Sequence, residues 1–166
     1  MLSFTADEVY EMAQVLERTG VQFYRRTAEL AADGPLRQML LSLADMEQNH
    51  LQVFSDLRRQ LPAEGRRQGD PVPPEDVDEH RHYVRALVES HTFGAVDEAW
   101  FASPAARTPE DVLRRAAALE KDAIVFFLEL QELVPLRQGR QEIERILREE
   151  LQHLRILNAR MHARSR

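Results

Sequence analysis

The sequence has 166 residues, of which 43% are hydrophobic and 30% are charged, with a formal net charge of −6. This size fits one domain with a substantial core, and an acidic balance without a separate basic cluster argues against nucleic acid as a partner. The absence of cysteine excludes disulfides, thiolate metal sites and a rubredoxin-type iron centre within these residues. The longest apolar run, Ala123 to Leu128, is too short to span a bilayer. Because the chain does not open like a signal peptide, we expect a cytoplasmic protein that does not contact a membrane.

The first 61 residues predict a helical hairpin, over residues 5–61. A capping-box motif that begins at Thr5 opens a first helix, which we expect to end near residue 32. The Asp33-Gly34 pair closes this helix, and Pro35 suits the first turn of a second one. A link this short makes the two helices antiparallel neighbours.

Residues 62–107 have the composition of a long connection, because prolines and glycines interrupt their first part. Within this crossover, residues 77–90 predict a short amphipathic helix. Three aromatic side chains are expected to anchor the segment by packing: Phe93, Trp100 and Phe101.

The C-terminal part predicts a second helical hairpin, over residues 108–163. Thr108 as N-cap and Pro109 at the first helical position open a third helix. Pro135 and Gly139 mark a short turn before the fourth. We therefore expect an all-α four-helix bundle with one long crossover between helices two and three.

Each hairpin contains one Glu-x-x-His motif, at Glu47–His50 and at Glu150–His153. Residues three apart lie on one helix face, one turn apart, so each pair can hold one metal ion. A further glutamate precedes each motif by the same 30 residues, and these are Glu17 and Glu120. The doubled pattern predicts a dinuclear metal site.

All six residues interrupt apolar helical stripes, at positions where a core side chain is expected. A shift of 103 residues brings both motifs and both upstream glutamates into register, which indicates an internal duplication. Small residues lie one turn to either side of the two upstream glutamates and leave room beside the carboxylates. They are Ala13, Gly20, Ala116 and Ala123.

The chemistry of the six side chains favours a metal site over ordinary helical residues in a metal-free interaction module. Four buried carboxylates without counter-charge would each cost several kcal/mol, whereas two divalent cations would balance them. Carboxylate and imidazole ligands without sulfur suit iron or manganese, with zinc as an alternative. Two such metals with open positions could bind and reduce dioxygen or peroxide.

The order and spacing of these residues resemble the ferritin-like superfamily, and most closely its rubrerythrin-type diiron proteins. The resemblance covers nearly the whole chain and implies a single ferritin-like domain with two iron ions. It also implies that Glu47 and Glu150 are bridging ligands and that Glu17 and Glu120 are terminal or switching ligands. His50 and His153 would each bind one iron.

The same resemblance points to two residues around the ligands and to two departures. Tyr24 matches a family tyrosine near the metals, and the alternative is a tyrosine that only packs in the core. Glu149 matches a carboxylate that orients a ligand histidine, and the alternative is a solvated glutamate. Ala117 stands where rubrerythrins carry a further glutamate ligand, and Val125 where they carry a second tyrosine near the site. The departures shift the expectation from the rubrerythrin peroxidase cycle towards a six-ligand ferroxidase site.

The resemblance implies a non-haem diiron oxidoreductase that oxidises Fe(II) with dioxygen or reduces hydrogen peroxide, in iron handling or oxidative-stress defence. Its electrons would come from Fe(II) or from a donor in trans, and a homodimer or higher homo-oligomer is expected. The alternative is a non-catalytic iron-binding or storage protein.

Overall fold

The computed structural model describes residues 5–62, 98–133 and 139–164, and these ranges contain helices and no strand. The predicted helix over residues 77–90 and the predicted anchor Phe93 lie outside the described residues. Two short elements precede the second hairpin, α3 (Glu98–Ala102) and a 3₁₀ turn (Pro104–Arg107). The four long helices are α1 (Ala6–Leu30), α2 (Gly34–Gln60), α4 (Pro109–Leu133) and α5 (Arg140–Arg164).

Side-chain caps set the start of the first two helices. The hydroxyl of Thr5 accepts the backbone N–H of Glu8 at 3.2 Å, while the Glu8 carboxylate accepts the backbone N–H of Thr5 at 2.8 Å. Asp33 accepts the N–H of Leu36 at 3.0 Å, so it opens α2 in addition to following α1. α1 and α2 end within two residues of their predicted ends.

The predicted all-α four-helix bundle is confirmed. α1 packs along α2 and α4 packs along α5, and the two hairpins meet through α1 against α4 and α2 against α5. α3 is tied to α1 by Arg26, whose guanidinium donates to Glu98 at 2.5 and 2.8 Å and lies 4.1 Å from the Phe101 ring centroid. Within the described ranges, no helix is both long enough and apolar enough to cross a bilayer.

The core consists of two apolar clusters with a polar layer between them. One cluster includes Phe23, Leu40, Leu113 and Leu157, and Trp100 and Phe101 pack against its Phe23. The other cluster lies towards the opposite end of the bundle. It includes Tyr10, Phe54, Phe127 and Ile146.

The polar layer lies at the same depth on all four long helices. On each helix the residues before the layer belong to one apolar cluster and those after it belong to the other. The layer therefore crosses the centre of the bundle, where a polar side chain has no access to bulk water. It contains Glu17 on α1, Glu47 and His50 on α2, Glu120 on α4, and Glu150 and His153 on α5.

Candidate metal centre

The six predicted ligands lie together in the polar layer, and none is more than 5% exposed. They form two overlapping groups, within each of which one candidate ligand atom per residue lies within 4.8 Å of the others. We call these groups the His50 half and the His153 half. The His50 half is Glu17, Glu47, His50 and Glu150, and the His153 half is Glu47, Glu120, Glu150 and His153.

Two glutamates belong to both halves, and each directs one oxygen towards each histidine. Glu47 places Oε2 3.5 Å from Nδ1 of His50 and Oε1 3.2 Å from Nδ1 of His153. Glu150 places Oε1 and Oε2 each 3.0 Å from the same two nitrogens, respectively. This is the arrangement by which two carboxylates can bridge two metal ions.

The two remaining glutamates each belong to one half. Glu17 Oε2 lies 3.6 Å from Nδ1 of His50, and Glu120 Oε2 lies 3.6 Å from Nδ1 of His153. The two imidazole rings are stacked, with centroids 5.6 Å apart. Each half therefore offers one unshared carboxylate, one imidazole nitrogen and one oxygen from each shared glutamate.

Buried polar atoms normally have hydrogen-bond partners, but in the described part of the chain several atoms of this cluster have none. Each Nδ1 lies near carboxylate oxygens without making a well-directed hydrogen bond, as expected for atoms that converge on an ion. The donor set therefore fits two cations. The unpartnered cluster atoms are Glu17 Oε1, His50 Nδ1, both carboxylate oxygens of Glu150, and Nδ1 and Nε2 of His153.

Burial and mutual repulsion distribute protons unevenly over the metal-free cluster. Burial, reinforced by neighbouring carboxylates, raises the pKa of Glu17 and of Glu120 well above the ordinary 4.5. Burial alone would also raise the pKa of Glu150, but contacts with the two histidines hold it below its usual range. Burial would lower the pKa of His153, whereas contacts with carboxylates raise it to about 12. Metal ions that bind here must displace these protons.

Two further side chains contact the ligands from outside the cluster. The Tyr24 hydroxyl donates a short hydrogen bond to Glu120 Oε1, and burial together with the Glu120 charge raises the pKa of Tyr24, so that the phenol keeps its proton. Glu149 Oε2 lies 2.8 Å from Nε2 of His50, although the Glu149 side chain is 45% exposed. Tyr24 also packs against Phe23, so it has a core role as well as a contact with the cluster.

The two predicted departures have different outcomes in the structure. Ala117 is buried in an apolar cluster one turn before Glu120, which leaves no further carboxylate at that place. Val125 is 48% exposed on the surface of α4. That face of the helix points to solvent, so the lack of the family tyrosine at position 125 has no consequence for the cluster, and this departure does not bear on the reaction.

Gly20 provides the space in which the shared carboxylate of Glu47 lies. A Cβ atom at position 20 would be 3.2 Å from Cγ and 3.5 Å from Oε2 of Glu47, closer than most such contacts. The equivalent position in the second hairpin is Ala123. The sequence pattern predicted a small residue here, and the structure identifies Glu47 as the group that requires it.

We expect Gly20→Ala to weaken the binding of both metal ions by about 10-fold, the lower end of the effect of disturbing ligand orientation. The extra methyl group displaces a ligand that both halves share, while the higher helix propensity of alanine, worth about 1 kcal/mol, offsets the crowding in the metal-free protein. Calorimetric titration with Fe(II) measures the affinity. Gly34→Ala is the matched control, since a Cβ there meets nothing within 4 Å; equal affinities of the two variants would contradict this role for Gly20.

Comparison with known proteins supports the architecture. No protein-family model and no curated protein matches the sequence. Among solved structures, the chain is similar to a Thermotoga maritima protein described as a proposed ferritin-like diiron-carboxylate protein, with 23% sequence identity and a TM-score of 0.67. The match covers 98% of this chain and 97% of the other. The protein thus has a ferritin-like all-α bundle fold, with a buried Glu and His cluster suited to a dinuclear metal site.

Proposed function

We propose that the protein is a non-haem diiron oxidoreductase of the rubrerythrin type, without a rubredoxin centre in these residues, that oxidises Fe(II) with dioxygen or reduces hydrogen peroxide. The proposal rests on one observation, the two overlapping ligand groups that share Glu47 and Glu150. These two shared carboxylates would hold two cations together, which a storage surface or a single-metal site does not require.

The ligand chemistry supports iron as the metal, with manganese or zinc as competitors. Each half combines carboxylate oxygens with one imidazole and no thiolate. These ligands suit iron and manganese, whereas structural zinc sites typically contain cysteine thiolates. The fold neighbour, itself described as a diiron-carboxylate protein, supports the same choice. Bound iron would supply the one-electron steps by which Fe(II) reduces dioxygen or peroxide.

The surrounding residues of the chain control water and protons at the site. The apolar clusters on both sides exclude bulk water, which strengthens every charge interaction inside the layer. Tyr24 holds a proton at Glu120, at the edge of the His153 half. Glu149 holds the outer nitrogen of His50 and leaves Nδ1 directed towards the cluster.

The test is whether Fe(II) oxidation continues beyond the filling of the site. Metal-free protein loaded anaerobically with Fe(II) and then given dioxygen or peroxide should oxidise many further equivalents of Fe(II), with a ferric absorption band during turnover. Glu144→Gln, a change on α5 at a partly exposed residue outside the cluster, should behave like the wild type. Oxidation that stops after one filling would contradict catalysis and favour an iron-binding or storage protein.

The electron source, the cellular location and the oligomeric state belong to the same proposal. Electrons come from Fe(II) or from a separate donor, because the chain has no cysteine for an iron–sulfur or rubredoxin-type centre. The protein acts in the cytoplasm, in iron handling or oxidant defence, and self-associates as a homodimer or higher homo-oligomer. Light scattering of the purified protein measures the last of these directly, and a monomeric mass would contradict it.

A further inference from the structure

We propose that the two halves of the site are not equivalent: the His50 half binds its metal ion first and more tightly, and the His153 half holds the exchangeable ion. Both histidines direct Nδ1 into the cluster, but within the described part of the chain only His50 has a partner for its outer nitrogen. This inference rests on the proposed dinuclear metal site and adds an order of loading to it.

His50 is held in the orientation that a metal requires. Its Nε2 lies 2.8 Å from the Glu149 carboxylate, which accepts the N–H and keeps that proton on Nε2, so that Nδ1 is the nitrogen that gives up its proton to a metal. That Nδ1 lies 3.0 Å from Glu150 Oε1, inside the cluster. The imidazole is therefore already positioned before a metal arrives.

His153 lacks this support. Its Nδ1 lies 3.0 Å from Glu150 Oε2 and 3.2 Å from Glu47 Oε1, much as in the other half. Its Nε2 is buried and has no hydrogen-bond partner among the residues that the structure describes. Among the described residues, none holds the ring orientation of His153 or its Nε2 proton from outside the cluster, so both are set only when a metal binds in this half.

The duplication shows where the missing partner would be. Glu149 directly precedes the shared Glu150 and serves the histidine of the opposite hairpin. A shift of 103 residues places Met46, which directly precedes the shared Glu47, at the equivalent position. Met46 is half-buried and packs against the apolar cluster, and its thioether is only a weak acceptor. At these two equivalent positions, the orienting carboxylate is therefore present for one half only.

The unshared carboxylates differ in the same direction. In the His153 half, one oxygen of Glu120 is occupied by the hydrogen bond from Tyr24. The residue equivalent to Tyr24 is Phe127, which has no hydroxyl, and Glu17 Oε1 is unpartnered among the described residues. Both oxygens of Glu17 are thus available to a metal in the His50 half. This is a second reason to expect tighter metal binding in the His50 half.

The first experiment assigns the order of binding with Fe(II) alone, titrated anaerobically into the metal-free protein by calorimetry. Two binding steps alone do not suffice, because the first cation weakens the second through the shared carboxylates even in a symmetric site. His153→Ala should retain the tighter step and lose the weaker one, whereas His50→Ala should lose the tighter step. Equal losses of affinity in the two variants would overturn the proposal.

The second experiment alters the outer partners without touching a ligand. Glu149→Met should weaken the first step by roughly 10- to 100-fold, and Glu149→Gln should restore most of this loss because its amide oxygen still accepts the Nε2 N–H. Met46→Glu should tighten the second step, and the exchange E149M with M46E should reverse the order of loading. Glu144→Met on the same helix is the control, since its side chain is 42% exposed against 45% for Glu149.

An unchanged first step in Glu149→Met would overturn the inference on its own, and this surface variant decides the matter if Met46→Glu fails to fold. The results also separate the inference from the proposed function. Two ions bound with equal affinity in a protein that sustains Fe(II) oxidation would remove only the inference. Ordered loading without sustained oxidation would remove only the oxidoreductase function.

Discussion

Replacing Glu150 with alanine is expected to abolish the tight binding of both metal ions, whereas replacing Glu120 with alanine should abolish the binding of one. Glu150 supplies one oxygen to each half, and Glu120 lies only in the His153 half. Each change removes a buried carboxylate from a repulsive cluster, so both variants should remain helical. Elemental analysis after iron loading and desalting measures the stoichiometry, with circular dichroism to check the fold.

Two matched variants make this comparison decisive. Glu47→Ala should match Glu150→Ala, since Glu47 also faces both histidines. Glu17→Ala should match Glu120→Ala but should spare the opposite half. If replacing an unshared glutamate removed as much metal as replacing a shared one, the division of the cluster into two halves would be incorrect. Unchanged metal content in every variant would show that the ligand assignment itself is wrong.

The ligand cluster could be foreseen because its signal is carried by spacing along helices. Apolar residues repeated every three or four positions show which face of each helix is buried. Glu17, Glu47 and Glu150 occupy positions on those faces where an apolar residue is expected. The repeated interval of 30 residues then places all of them at one depth of the bundle. Burial of a charged residue on such a stripe needs a partner or a metal, so the pattern itself indicated the chemistry.

Contacts between helices were less accessible from the sequence, because they depend on how each helix is rotated against its neighbour. Periodicity cannot show that Glu149 reaches His50 on another helix, nor that the outer nitrogen of His153 has no partner among the residues that the structure describes. The duplication does contain the difference, as Met46 in place of Glu149. It becomes informative only when the structure shows which nitrogen each of these positions faces.

Alignment by position is also limited where the helix face is not considered. Val125 was matched to a tyrosine near the site, yet it lies five residues after Glu120 and therefore about 140° further around the helix, which turns it to solvent. Asp33 shows a similar limit at the turn. The Asp-Gly pair was interpreted as the end of α1, but the Asp33 carboxylate caps the start of α2.

Removal of the metal ions is expected to lower the midpoint of thermal unfolding by roughly 15–30 °C. Each ion at about 1,000 times its dissociation constant adds about 4 kcal/mol to the free energy of unfolding, and about 1 kcal/mol shifts the midpoint by about 2–4 °C in a chain of this size. Scanning calorimetry of the iron-loaded and metal-free protein measures the difference. A shift of only a few degrees would mean that the cluster does not hold two ions tightly.

The metal-free protein should in turn be stabilised by Glu17→Gln or Glu120→Gln. Burial raises the pKa of both carboxyls in the folded state, so they must take up protons, and at neutral pH this costs up to about 3 kcal/mol for a group with an ordinary pKa of 4.5. The cost is absent below that ordinary pKa and grows as the pH rises towards the raised pKa of the folded state. The variants should therefore exceed the wild type at neutral pH and converge with it in acid, while the exposed change Glu29→Gln should alter neither. A gain that did not depend on pH would point to packing. A gain that vanished in acid would show that the cost lies in the protonation of these buried carboxyls, which bound metal ions would remove.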